Sequence, residues 1–171
     1  MACPFGGHPN HLNPVSPATT PPPPKGYRVI PGIVWWNLIF WPWRQYIAAR
    51  AMGLPVSPPT LAPPGATGVY FTDIKSLEGL LSAGDFAKRL GLGLQAHREC
   101  NEYGCAVVEF DVVSPPPVSV PPPAPNAKQQ GLTTGGAREW LTGGNVKVED
   151  SMRVVYIDWT HNGVRFFEIP L

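Results

Sequence analysis

A chain of 171 residues is long enough for one domain with a proper core and too short for two. Apolar residues make up 43% and charged residues 15%, which excludes a charge-rich disordered chain. The formal net charge of +1 excludes a strong non-specific nucleic-acid binder, which works through a basic excess.

Proline is the outlier, with 23 residues beside 18 glycines, and four segments hold most of it. Residues 1–25, ending in Pro21-Pro22-Pro23-Pro24 and Lys25, have few apolar anchors to offset their ordering entropy and are predicted to be an extended or disordered leader. The start, Met-Ala-Cys-Pro-Phe-Gly-Gly-His, has neither the basic nor the apolar region of a signal peptide. Cys3, His8 and His11 have no second ligand pair at metal-site spacing, so no metal is expected.

From Tyr27 the character changes. Tyr27-Arg28-Val29-Ile30, closed by Pro31-Gly32, reads as a strand and turn. Trp35, Trp36, Trp41 and Trp43 follow; their bulk points to core packing ahead of a membrane-facing patch. From Trp43, the apolar positions Ile47, Ala51 and Leu54 recur at helical spacing, with Gly53 and Pro55 as stop signals. No apolar run reaches a membrane span, and a soluble protein is expected.

Beyond a second Pro-rich linker, Val69 to Thr72 reads as a strand and Asp73 as the N-cap of a helical turn. Ser82-Ala-Gly-Asp85 has capping-box form and opens a helix that carries Phe86, Ala87 and Leu90 on one face. His97 is assigned to a loop. Three cysteines exclude a fully paired framework, and Cys100 and Cys105 are either two ordinary thiols or a bridge in an oxidising compartment. In the strand Cys105 to Val113, residues Ala106, Val108, Phe110 and Val112 point one way and Glu109 and Asp111 the other. A Pro-rich loop at 114–125 follows. Met152 to Trp159 and Val164 to Ile169 read as two strands joined across His161-Asn162-Gly163. At least five strands with mostly antiparallel neighbours, and two or three helices, make the class α+β.

No phosphate loop, zinc site or nucleophile elbow is present. What remains is Arg28 on the first strand, the aromatic stretch Tyr70-Phe71-Thr72-Asp73, and Glu139 in Gln129-Gln-Gly-Leu-Thr-Thr-Gly-Gly-Ala-Arg-Glu-Trp-Leu. These residues resemble, in their order, the ADP-ribosyltransferase superfamily of NAD-cleaving toxins and poly-ADP-ribose polymerases. Gly68-Val-Tyr-Phe-Thr-Asp is similar to the polymerase strand whose tyrosine stacks on nicotinamide. Tyr27-Arg28-Val29 is similar to the first strand of the enterotoxin-like branch, where the arginine secures the NAD site. Arg138-Glu-Trp-Leu-Thr-Gly-Gly-Asn-Val resembles the segment that carries the toxins' catalytic glutamate. The likeness spans roughly residues 26–171.

The resemblance implies two packed, mainly antiparallel sheets with a few flanking helices. It implies a mono-ADP-ribosyltransferase toxin or effector domain using NAD as co-substrate. Glu139 would be catalytic, Arg28, Tyr70, Phe71 and Thr72 would bind NAD, and Gln129, Gln130 and Arg138 would recognise the target. The implied partners are a macromolecular acceptor and a neutralising immunity protein, with secretion by a non-classical route into a target-cell cytoplasm. Glycines 131, 135 and 136 would leave the loop before Glu139 free to move. The departures are Ala137, where side-chain-modifying toxins carry Glu or Gln, and Phe71-Thr72-Asp73 in place of Ser-Thr-Ser. A rival alignment sets Gln130 at the catalytic position and implies lost activity. The alternative functions are an NAD glycohydrolase toxin, or an inactive interaction module that offers its Pro-rich segments to aromatic grooves.

Overall fold

The strand β3 (Gly104–Asp111) is apolar on both faces, and this places it at the centre of a sheet. The computed structural model describes residues 2–9, 14–19, 21–112, 117–122, 129–161 and 164–166, with side chains described as far as Asp158. β1 (Lys25–Pro31) pairs antiparallel with one edge of β3, and β6 (Arg153–His161) with the other. β7 (Val164–Phe166) extends the sheet, in the order β1-β3-β6-β7. A second antiparallel sheet runs β2-β5-β4, built from Tyr70–Phe71, Trp140–Thr142 and Val118–Ser119 respectively. The class is α+β, as expected.

Strand alternation divides the core in two. Ile30, Ala106, Val108 and Phe110 face the second sheet and pack with Val69, Phe71 and Trp140. Tyr27, Val29, Cys105 and Val107 face the opposite way, onto Leu77, Phe86 and Cys100. Their cover is a 3-10 turn (Ile74–Leu77) and the helices α3 (Ala83–Arg89) and α4 (Leu94–Tyr103). Both predicted caps form: Asp73 accepts from the Ser76 amide, and Ser82 with Asp85 makes a reciprocal capping box.

The helical rod begins earlier than its apolar stripe suggests. α1 (Gly32–Val34) continues through a π-helical segment (Trp35–Phe40) into α2 (Trp41–Ala51). Pro42 explains the wide turn. It has no N–H to donate to the carbonyl four residues back, and its ring crowds that carbonyl. Trp41 instead donates five residues back, to Trp36. Trp35, Trp36 and Trp43 join the first core, whereas Trp41 is exposed. No helix among the described residues is long and apolar enough to cross a membrane.

Two expectations need correction, and one open alternative is decided. His97 lies in α4, not in a loop. Of the two alternatives for Cys100 and Cys105, ordinary thiols hold: both are free and buried, and burial pushes Cys100 up to about 12 and Cys105 well above its ordinary value. The described leader residues also dock on the domain. Phe5 packs edge-on against Tyr27 and Phe86, Gly6 accepts from the Gly79 amide, and Ala18 is buried. Apolar contacts at Phe5 and Ala18 supply the anchoring that composition alone does not reveal. His11, Val113 to Pro116, Pro123 to Pro125, Asn162 with Gly163, and Phe167 to Ile169 lie outside the described residues.

Candidate functional site

Arg28 follows Tyr27 on β1, so alternation turns its side chain toward the second sheet. Its Nε donates to the Leu61 carbonyl at 3.0 Å and its Nη1 to the Tyr70 carbonyl at 2.9 Å. Burial lowers this guanidinium to about 10, against the opposing pull of Glu139. The sheets meet at the next residue back: Tyr27 and Thr72 exchange both backbone hydrogen bonds, each 2.9 Å.

β2 presents its residues to different surroundings. The Tyr70 side chain is about half exposed, at 48%. Phe71 is buried between Phe110, in an edge contact at 5.3 Å, and Trp140, stacked at 5.8 Å. Thr72 is fully buried, and its hydroxyl donates to the Arg138 carbonyl at 2.6 Å.

Glu139 stands one residue before β5 and donates its amide to the Gly131 carbonyl at 2.8 Å. Two adjoining pockets share Glu139, Tyr70 and Leu90. The wider, about 340 Å³, is also lined by Gly91, Pro121, Pro122, Thr133 and Thr134. The narrower, about 40 Å³, reaches Arg28, Phe71 and Thr72. Burial raises the Glu139 carboxyl to about 7, although the Arg28 charge opposes the rise. Arg28, Tyr70, Phe71, Thr72 and Glu139 therefore converge on one cleft, with Tyr70 the only one of the five that presents an exposed ring.

The loop before Glu139 is pinned, where its glycines imply freedom. Leu132 bridges Arg138, and the Thr133 amide donates to Ala137 at 2.8 Å. The Thr133 hydroxyl donates to the Arg89 carbonyl at 2.6 Å, and Arg89 Nη1 donates to the Gly135 carbonyl at 3.3 Å. A Cβ on Gly135 would sit 2.0 Å from the Lys88 carbonyl oxygen, so this glycine serves close packing on the end of α3. Ala137 is fully buried, with its amide donating to Thr133 Oγ1 at 3.0 Å.

The three residues assigned to target recognition separate. Arg138 turns inward: its Nε lies 2.8 Å from Asp73 Oδ2, and its amide donates to Ser76 Oγ at 2.9 Å. Ser76 Oγ in turn donates to Asp73 Oδ1 at 2.7 Å. With its guanidinium on Asp73, Arg138 fixes the backbone beside Glu139 and does not face a target. Gln130 is exposed and lines a different pocket, with Ala18, Thr19, Val118, Ser119 and Val120. Gln129 is exposed and lines neither pocket of the Glu139 cleft.

Ser76, Leu61 and Leu90 are residues that sequence reasoning did not connect to the site. Only Ser76 carried a signal, as the third residue after the Asp73 cap. Among the described residues no group of three or more His, Cys, Asp or Glu side chains could hold a metal ion. No protein-family model, curated protein or solved structure matches this chain.

Proposed function

We propose that the chain is an NAD-cleaving ADP-ribosyltransferase domain that breaks the nicotinamide–ribose bond and passes ADP-ribose to an acceptor. The observation that carries this reading is the convergence of Arg28, Tyr70 and Glu139, from three segments distant in the chain, on one cleft. The wider pocket, about 340 Å³, falls in the range of small-molecule sites, toward its lower end, and suits the nicotinamide riboside half of a dinucleotide.

The chemistry fits the residue types. When the bond to nicotinamide breaks, its electron pair leaves with the ring and the ribose carbon becomes an oxocarbenium-like centre. A Glu139 carboxylate stabilises that positive charge, and a nearby cation keeps the carboxyl ionisable despite its burial. The acceptor then bonds to the ribose carbon and releases its proton to solvent. The Tyr70 ring offers a flat apolar face for nicotinamide. Arg28, with two donors on main-chain carbonyls, sets the electrostatics and the frame of the cleft.

The two-sheet ADP-ribosyltransferase fold belongs to the same proposal, as do a toxin or effector role, a macromolecular acceptor and an immunity partner. Water as acceptor gives the glycohydrolase form of the reaction. Nicotinamide release from NAD by the wild-type chain and by Glu139→Ala, with and without cell extract, tests the reading. Release by the wild type and its loss in the variant is the expected result. No release from the folded wild type under either condition overturns the reading in favour of a binding module.

A further inference from the structure

The leader touches the Glu139 segment from a direction that the resemblance does not address. The Ala18 amide donates to the Gly131 carbonyl at 3.3 Å, and the same carbonyl accepts the Glu139 amide at 2.8 Å. On the other flank of Glu139, Trp140 Nε1 donates to the Thr19 carbonyl at 2.9 Å. A second anchor lies at the other end of the leader. Phe5 inserts among Tyr27, Phe86 and Tyr156, Cys3 is buried, and Gly6 accepts from Gly79. Gly79 closes the turn that begins with Asp73 and Ser76, the pair that holds Arg138.

We propose that the leader, through its described stretches 2–9 and 14–19, is a positioning strap for Glu139, so that detaching it loosens the carboxylate while the two-sheet core stays folded. The two anchors are separate: residues 18 and 19 hold Gly131 and Trp140, on the two sides of Glu139, and residues 3–6 hold the Asp73 turn. Most of the core named above is made within residues 25–158, to which the leader adds Ala18 and Phe5, so the core is expected to persist without the strap. For its activity readout the inference rests on the proposed function. Its structural readout is independent of that reading.

The test uses the full chain with a specific protease site inserted between Pro21 and Pro22, compared uncut, cut, and cut with the leader fragment removed. Amide exchange at Glu139 reads the strap directly. Removal is expected to speed it by about tenfold or more, lower kcat for NAD about tenfold, leave KM within about twofold, and be reversed by adding back the leader peptide. Unchanged Glu139 exchange in the stripped, folded chain overturns the proposal. Should the stripped chain unfold, Trp140→Phe in the intact chain carries the test. It keeps a ring against Phe71 and deletes the bond to Thr19, and unchanged Glu139 exchange there overturns the strap. Faster exchange in a chain that never cleaves NAD upholds the strap and rejects the enzyme reading.

Discussion

Arg28 Nη1 donates to the main-chain carbonyl of Tyr70 over 2.9 Å, so the arginine whose charge acts on Glu139 is held by the backbone of the residue whose ring opens onto the cleft. Arg28→Lys keeps the charge but loses the fork that reaches both Leu61 and Tyr70. We expect a loss of about 1–3 kcal/mol in stability, read by urea denaturation. Arg28→Ala also removes the charge that opposes the burial of Glu139. The Glu139 carboxyl should then titrate above its value of about 7, which carboxyl-labelled NMR would detect.

Glu139→Gln separates activity from stability. NAD cleavage should fall about 100- to 1000-fold, the usual scale for one electrostatic group. Stability should move the opposite way. The folded-state value, about 7, lies above the ordinary value of 4.5, so the wild-type carboxyl favours folding at low pH and loses that contribution as pH rises through this window. Denaturation midpoints of wild type and variant should diverge between about pH 4.5 and 7, with the variant the more stable at the upper end. Parallel midpoints across that range would contradict the burial of Glu139. Under the proposed function, the same ionisation should make NAD cleavage rise with pH toward a plateau above about 7, which a pH profile of nicotinamide release would show.

Asp73→Ala removes the acceptor of the Arg138 ion pair and the cap of the 3-10 turn together. It leaves a mostly buried guanidinium without its carboxylate. A loss of about 3 kcal/mol is expected, larger than that of Arg138→Ala. Thermal melts of the two variants side by side give the comparison.

Gly135→Ala forces a methyl against the Lys88 carbonyl, 2.0 Å away. The loop must lift from α3, and we expect a loss of about 1–3 kcal/mol together with faster amide exchange at Thr133 and Ala137.

Cys100 and Cys105 should resist alkylation in the folded protein, since burial holds both thiols well above their ordinary value. Both should react at once in denaturant, which a mass-resolved labelling experiment would show.

Much of the frame was legible from residue types because local rules governed it. Asp73 and Ser82 read as caps since their side chains serve amides three residues on, and the alternation in β3 announced its two faces. Illegible features depended on partners distant in the chain. α4 opens at Gly93 with no side-chain cap, so His97 carried no helical signal. The π segment depends on Pro42 acting on the preceding turn. Arg138 was assigned to target recognition, and its burial went unseen, because its partner, Asp73, is 65 positions away. The order Arg28, Tyr70, Glu139 was visible, whereas the clamp around Glu139 was not, because it is assembled from backbone carbonyls at Gly131 and Thr19.

The reciprocal bonds between Tyr27 and Thr72 have a consequence for insertions and deletions. Side chains alternate along β1, so slippage of this crossing by one residue would bring Tyr27 or Val29, in place of Arg28, toward the second sheet. It would also move the Thr72 hydroxyl away from the Arg138 carbonyl. A single-residue insertion or deletion on either side of the crossing would therefore cost the cleft its guanidinium and unfasten the Glu139 segment in one step. Insertions in the linker before Val69 leave this alignment intact, so the sensitivity of the chain to length changes should peak sharply at Tyr27 and Thr72.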